Sequence, residues 1–395
     1  MKKWLLLLGL AACGPELPVE TRPDFSSDLP ISGVSLEWET AFNEGDALFD
    51  LPFREADGLG PLFIRTSCGN CHRAAARGPG LVERVVQVDF DGRPTPGQPA
   101  LPYGSVVRPY ANSGATPLLA PMRDDVKVSR RAGIPVMGRG WLEAVADSEL
   151  VRVAAEQALR TDGVSGRINY VKWMSEPNSD TRFHQHRLGD TVIGRFGLKA
   201  RQPMLDDFAA DALQGDMGLT SPLRTHEVPN AEGLADDRKP GVDMTMAQTN
   251  ALADYVRLIA IPRRKAANEN GRQKFEAVGC NACHVPSLRT RDDYPIEQLA
   301  GADAPIFTDL LLHDLGPTLS DGIVDGDASA SEWRTAPLIG VRFLTAFLHD
   351  GRAASVDEAI RLHGAEGSEA KSSVESYAAL AEDDRVALLE YVSSL

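Results

Sequence analysis

The stretch Gly279-Cys-Asn-Ala-Cys-His284 constrains this chain more than any other. Two cysteines in C-x-x-C spacing with histidine directly after them form the attachment pattern of a c-type haem. Cys280 and Cys283 reach the two vinyl groups of one porphyrin, and His284 is then placed beneath the iron as an axial ligand. The pattern recurs as Cys68-Gly-Asn-Cys71-His72, in a chain with 5 cysteines in all. A zinc half-site or a thiol redox pair are the competing readings. Four thiolates could form a tetrahedral zinc site, but zinc does not explain a histidine after both pairs. The expectation is two covalently bound c-type haems, with His72 and His284 as proximal ligands.

The fifth cysteine is Cys13. Residues 1–13 open on Met-Lys-Lys-Trp, continue as an apolar run and end Leu-Ala-Ala-Cys. This reads as a short export signal over 1–12 whose last residues resemble a lipoprotein cleavage box, leaving Cys13 as a lipidated N-terminus; a plain signal peptide with an incidental cysteine is the alternative. The run is too short to span a bilayer as a helix. Export fits the cofactor, and the expected location is the bacterial cell envelope, lipid-anchored and facing the periplasm.

At 395 residues the chain has room for two or three domains, and its formal net charge of −15 argues against nucleic acid as a partner. Between Val285 and Leu395 there are 20 acidic against 8 basic residues, a local charge of −12. Two readings stand: a solvated acidic surface, or a docking face for a basic periplasmic electron donor or acceptor.

Residues 13–35 lack a periodic apolar face and read as a flexible tether. The span 36–265 reads as an N-terminal haem domain with a long irregular insertion, and 266–395 as a cytochrome-c-like haem domain. Strand-like pieces occupy Leu81–Val88 and Tyr103–Val107, broken by Gly and Pro. Gly140–Leu159 and Met246–Ile261 read as helices. Gly194–Pro203 is a basic, glycine-punctuated loop suited either to haem propionates or to the surface. Asn268–Val278 and Glu382–Val392 read as the helices bracketing the second domain. Ser355-Val-Asp-Glu358 is a capping-box pattern that opens a short helix ending at His363. The fold class expected is mainly α, with minor β in the N-terminal half.

A sixth iron ligand in the second domain cannot be methionine, because none follows Met246. The candidates are His313, His349 and His363. For the first haem Met137, Met204, His184, His186 and His226 are all available, and so is an open position, which catalysis at haem requires.

Ala266–Leu395 resembles the C-terminal domain of bacterial di-haem cytochrome c peroxidases and of the di-haem enzyme that matures methylamine dehydrogenase. The resemblance lies in Phe307-Thr-Asp309, His313, Leu315-Gly316, Phe347-Leu-His-Asp-Gly-Arg352 and Val356-Asp-Glu-Ala-Ile360. It implies that His363 is the sixth ligand of the second haem, giving bis-histidine ligation and a low potential. Over about residues 45–395 the chain more closely resembles the di-haem oxidoreductase family. Gly58–Pro61, Gly140-Trp-Leu-Glu-Ala144, Asp162–Arg167, Gly215-Asp-Met-Gly218 and Ser331-Glu-Trp-Arg334 carry that likeness. The label "thiol oxidoreductase" sometimes given to that family gains no support here, since residues 226–250 contain no cysteine. The resemblance implies electrons entering at the C-terminal haem and peroxidase-like chemistry at the N-terminal one, with a small oxidant such as hydrogen peroxide as substrate. Glu143 is the expected distal acid/base, with a helix-surface carboxylate or a salt bridge as its alternative roles. Trp141 and Trp333 are either inter-haem contacts or ordinary packing. A non-catalytic di-haem electron carrier and a redox-dependent binding module are the competing functions.

Overall fold

Two pairs of helices cross at glycines, and each pair stands beside one Cys-x-x-Cys-His motif. The computed structural model describes residues 28–72, 80–89, 101, 104–112, 114–230 and 241–395. Cys13, the export signal and most of the tether lie outside these residues. The chain is mostly helical with small two-stranded sheets. The helices are α1 Leu36–Asp50, α2 Cys68–Cys71, α3 Arg139–Ala144, α4 Asp147–Gln157, α5 Leu205–Met217, α6 Met246–Leu258, α7 Glu269–Ala277, α8 Gly316–Leu319, α9 Val356–Leu362, α10 Lys371–Ala378 and α11 Glu382–Ser394. Among the described residues no helix is long and apolar enough to cross a membrane.

Helix α1 crosses α6 where Gly45 meets Ala251 and Tyr255, and α7 crosses α11 where Gly271 meets Ala387 and Tyr391. In each case a Cβ on the glycine would run into the alanine carbonyl oxygen, so only glycine lets the backbones approach this closely. Four residues beyond each glycine is a phenylalanine, one helical turn on. Phe49 packs on Tyr255 with ring centroids 5.0 Å apart, and Phe275 on Tyr391 at 5.5 Å. The same crossing is thus built twice. Local signals start these helices: Asn268 Oδ1 accepts the Gly271 N–H at 3.0 Å, and Thr245 and Gln248 form a capping box on α6. Acidic residues fill the first turn of α11, where they oppose the positive end of the helix dipole.

Three sequence expectations change. Gly140–Leu159 is two helices, not one, because Val145 and Ala146 are extended. Their backbone pairs with the second half instead: Val145 bridges Thr290, and the Ala146 N–H donates to the Arg289 carbonyl at 3.1 Å. Alanine-rich periodicity cannot report a distant strand partner. The end of the expected tether is docked. Ile31 and Val34 are buried, and the Ile31 N–H donates to the Leu258 carbonyl at 2.8 Å, at the C-terminus of α6. In the cap of α9, Ser355 accepts the Glu358 N–H as expected, but the Glu358 carboxylate receives the Ala354 N–H rather than that of Ser355. Leu81–Gln87 is a strand, paired antiparallel with Val126–Ala132; Tyr103 lies outside the described residues.

Candidate functional site

Each Cys-x-x-Cys-His motif lines its own cavity, of about 300 Å³ in the C-terminal half and about 480 Å³ in the N-terminal half. The four thiols are therefore split between two places, which rules out a single four-thiolate zinc site. A thiol redox pair needs a depressed thiol pKa. Desolvation instead pushes the Cys280 thiol up to about 12, with the neighbouring Cys283 adding to the effect.

In the C-terminal cavity, α7 ends at Val278, and Gly279 takes the left-handed conformation (φ +86°) that turns the chain into the motif. Opposite, α9 contributes Val356, Ala359, Ile360 and His363, the i, i+3, i+4, i+7 spacing of one helix face. The His284 Nδ1 faces the Phe307 carbonyl at 3.2 Å, and the His363 Nδ1 faces the Ala359 carbonyl at 2.6 Å. A carbonyl only accepts, so both Nδ1 atoms carry the proton and donate it. Each Nε2 keeps its lone pair, the state a metal-ligating imidazole needs, with the second-shell bond that fixes the ring. Phe307 holds its carbonyl there from a left-handed backbone (φ +50°), costly for an aromatic residue. Desolvation pushes His284 down to about 4, helped by the nearby His363, and lowers His363 as well. Both rings stay neutral at neutral pH.

His313 and His349 also line this cavity but are engaged elsewhere. His313 meets Asp309 through Nε2 at 2.8 Å and Glu369 through Nδ1 at 2.7 Å. Burial is the largest single influence and opposes its charge, but Asp309 and Cys283 together outweigh it and raise its pKa well above the usual histidine range. An imidazolium with both nitrogens donating has no lone pair for iron. His349 stacks on Trp333 at 4.0 Å, and desolvation pushes it down to about 4. Cys283, Asp309 and His313 lie close enough to hold an ion, yet the bonds of His313 leave that trio without a free nitrogen.

The N-terminal cavity is lined by Cys68, Cys71 and His72, by the strand pair, and by α5 through Leu205, Phe208, Ala209, Leu213 and Asp216. Ser67 Oγ caps α2 by accepting the Asn70 N–H at 3.1 Å. None of the five sequence candidates for a sixth ligand is among the described lining residues. Met137 is fully buried beneath Gly340, His184 is bonded to Asp206 at 2.8 Å and stacked near His186, and His226 faces Thr225. Met204 lies at the N-cap of α5. Met217 lines the cavity instead, next to Asp216. Burial, with Asp211 nearby, pushes the Asp216 carboxyl up to about 7. Its side chain makes no hydrogen bond among the described residues. The one signal for both in the sequence is the Gly215-Asp-Met-Gly218 motif.

Glu143 corrects an expectation. It lines neither cavity and is 3% exposed, with both oxygens committed. Oε1 accepts the Leu205 N–H at 2.7 Å, and Oε2 accepts from Arg257 at 2.6 Å and from the Tyr294 hydroxyl at 2.7 Å. Burial pushes its pKa up, but Arg257 more than offsets this and the carboxylate stays below its usual range. Its helix context made it look accessible; only the tertiary packing of α3, α5 and α6 buries it. Trp141 is likewise core, whereas Trp333 lines the C-terminal cavity. Of the basic residues in the 194–203 loop, Arg195 pairs with Asp147 at 2.5 Å, Lys199 donates to the Ser329 and Glu332 carbonyls at 2.7 Å, and Arg201 reaches the N-terminal cavity while pairing with Asp211.

Whether these cavities suit haem can be tested on charge. Arg139 and Arg334 line the N-terminal cavity, are 6% and 4% exposed, and pair with no carboxylate among the described residues. Arg139 donates to the Pro135 carbonyl at 2.6 Å, and Arg334 to the Gly197 and Thr335 carbonyls at 2.9 Å. Burial pushes them down to about 9 and about 10. A buried charge without an ion-pair partner costs several kcal/mol, on the order of 3–5 for a broken pair; the field of Asp309, itself bonded to His313, offsets only part of the burial of Arg334. The carboxylates of a haem would remove that cost, and the apolar walls, thiols and neutral histidines suit the rest of it. The residues fit the group.

No curated protein matches the chain. Among solved structures, a hydrazine synthase of Kuenenia stuttgartiensis is similar at 13% identity with a TM-score of 0.40, over 100% of both chains. A variant of the diheme peroxidase BthA from Burkholderia thailandensis is similar at 13% identity with a TM-score of 0.35, over 90% of this chain and 86% of that one. Neither likeness is close enough to bear on fold or function. The profile described as "Di-haem oxidoreductase, putative peroxidase" matches residues 113–395, which include Asp216, the second haem-type motif, Arg334 and His363. By that match over most of its length, the chain belongs to the di-haem oxidoreductase family.

Proposed function

We propose that this protein is a peroxidase-type oxidoreductase in which the C-terminal cavity relays electrons and the N-terminal cavity carries out the chemistry. The observation that carries the reading is the difference between the two cavities. The C-terminal one has two neutral histidines, His284 and His363, each with Nδ1 tied to a carbonyl and Nε2 left with its lone pair, so the protein itself would supply both ligands to an iron held there, while His349 is stacked on Trp333. Among the described residues the N-terminal one has a single histidine, His72, and, beside the arginine-paired Asp211 and Asp325, a partly accessible carboxyl without a hydrogen bond, Asp216. In this reading Cys280 and Cys283 hold one haem covalently and Cys68 and Cys71 the other, and the two haems supply the redox-active iron. Asp216 would take a proton from peroxide at one oxygen and return it to the oxygen that leaves as water, the two electrons that break the O–O bond coming from the electron-donor protein, a role suited to a carboxyl poised near neutral pH. Arg139 and Arg334 hold haem carboxylates in the N-terminal cavity. Among the described residues seven arginines and three aspartates line that cavity, against one arginine and no carboxylate in the other, and this excess of positive charge raises the N-terminal potential relative to the bis-histidine centre and favours electron flow toward it.

Met217 favours a second reading. If its sulfur closes the N-terminal iron, both centres are six-coordinate and the protein is an electron carrier.

Haem content and spin state decide between them. The pyridine haemochrome of the intact protein is expected to report two c-type haems per chain, and one after paired Cys→Ala replacement at either motif. Electron paramagnetic resonance of the half-reduced protein is expected to show a high-spin iron that binds cyanide and peroxide. Two low-spin irons inert to both in every redox state would establish the carrier and end the peroxidase reading.

The acidic second half suits a basic periplasmic electron-transfer protein, and Cys13 suits a lipid anchor in the cell envelope. Cys13→Ser is expected to move the protein from the membrane to the soluble fraction; unchanged fractionation would remove the anchor.

A further inference from the structure

The two cavities share a wall made of Gly133, Ile134, Leu198 and Arg334. Arg334 is its one charged member. It is also the only lysine or arginine among the described residues lining the C-terminal cavity, whereas the N-terminal cavity has six further arginines.

The side chain is held from several sides. Arg334 ends the strand Glu332–Arg334, which pairs antiparallel with Leu312–Asp314. Its backbone N–H donates to the Leu198 carbonyl at 2.9 Å, which ties that strand to the loop on the other side of the wall. Nε donates to the Gly197 carbonyl and Nη1 to the Thr335 carbonyl, both at 2.9 Å. Nη2 makes no hydrogen bond among the described residues. A guanidinium placed for stability alone would have a carboxylate beside it, as Arg131 has Asp321 at 2.8 Å and Arg257 has Glu143 at 2.6 Å. Arg334 has two carbonyls, which neutralise no charge, and the one carboxylate whose field reaches it, Asp309, forms no ion pair with it and is bonded to His313. Its planar fork fixes donors along more than one edge, whereas a lysine at this position would offer one compact ammonium on a flexible stem.

We propose that Arg334 is shared by the two haems, binding a carboxylate of each, and that this one positive charge sets both potentials together. The inference rests on the reading that both cavities hold haem. Reduction adds negative charge at each iron, and a nearby buried cation stabilises the reduced form. Because it stands in the wall, Arg334 acts on both centres, while Arg139, which lines only the N-terminal cavity, acts on one.

The test is spectroelectrochemical titration of the intact di-haem protein, with the two centres assigned through their axial-ligand signatures. The pyridine haemochrome is read first: fewer than two haems in the unaltered protein would end the functional reading itself, and this inference with it. With two haems present, Arg334→Gln is expected to lower both midpoints, each by at least a tenfold change in the reduction equilibrium, 59 mV for a one-electron couple. Arg139→Gln is expected to lower only the N-terminal midpoint. Arg334→Lys keeps the charge and protects against a folding failure. It is expected to leave both midpoints near their original values while shifting the propionate bending bands of both haems in the resonance Raman spectrum. A response confined to one haem in either measurement, or to neither, would overturn the sharing.

Discussion

His363→Met is expected to raise the midpoint of the C-terminal haem by on the order of 100 mV or more, within the ~0.8 V range that axial ligation covers. Imidazole donates strongly to ferric iron, while thioether sulfur favours the ferrous state, so exchanging one for the other moves the equilibrium toward reduction. The haem count is expected to stay at two, because in the proposed reading Cys280 and Cys283, not His363, hold that haem covalently. The position tolerates the exchange sterically: the residue follows the last turn of α9 and shares its cavity-lining apolar face with Val356, Ala359 and Ile360. The lost bond is Nδ1–H to the Ala359 carbonyl, whose role is to fix the imidazole tautomer. A higher C-terminal potential weakens the driving force toward the N-terminal centre, so turnover supported by an external donor is expected to fall. His363→Ala is expected to convert the same iron to a high-spin, cyanide-binding form. An unchanged midpoint and spin state in both variants would remove His363 from the iron.

Asp216→Asn is expected to reduce peroxide turnover by ~10²–10⁴-fold, the usual contribution of a positioned general acid/base. Both haems and their spectra in the absence of peroxide are expected to remain. Glu143→Gln is the control, and its effect is expected in stability instead. Breaking a buried carboxylate–arginine pair costs ~3–5 kcal/mol, read as a lower denaturant midpoint, with turnover per folded haem preserved. The reverse pattern would restore the sequence-based choice of Glu143. Asp216 also carries a pH signature. Its folded pKa lies near 7, above the ordinary carboxyl value of 3.8. Between these two values the folded state holds a proton the unfolded state has lost, so its contribution makes stability fall as pH rises through that window. Asp216→Asn is expected to remove that part of the slope in denaturant titrations run at several pH values.

The haem-type motifs, their spacing and the absence of methionine after Met246 depend only on covalent order, and the sequence alone made them legible. So did helices whose caps and periodicity are local, such as α7, α9 and α11. The pairing of α1 with α6 was not legible, although the glycine, alanine and aromatic pattern is the same as in α7 and α11. Nothing local tells a helix which partner it meets two hundred residues later. Sequence pattern also failed wherever a polar side chain's role depends on its surroundings. Glu143 and Asp216 are both carboxylates on helices flanked by apolar residues. One is neutralised by Arg257 in the core and the other is left without a hydrogen bond at a cavity wall, because the approach of α3, α5 and α6 decides which is enclosed. The position of Arg334 between two cavities is likewise a property of the assembled chain. The two Cys-x-x-Cys-His motifs are set by neighbours in sequence, so sequence alone determined them. Burial, charge compensation and which residue faces an iron are set by neighbours in space, and only the tertiary structure decided them.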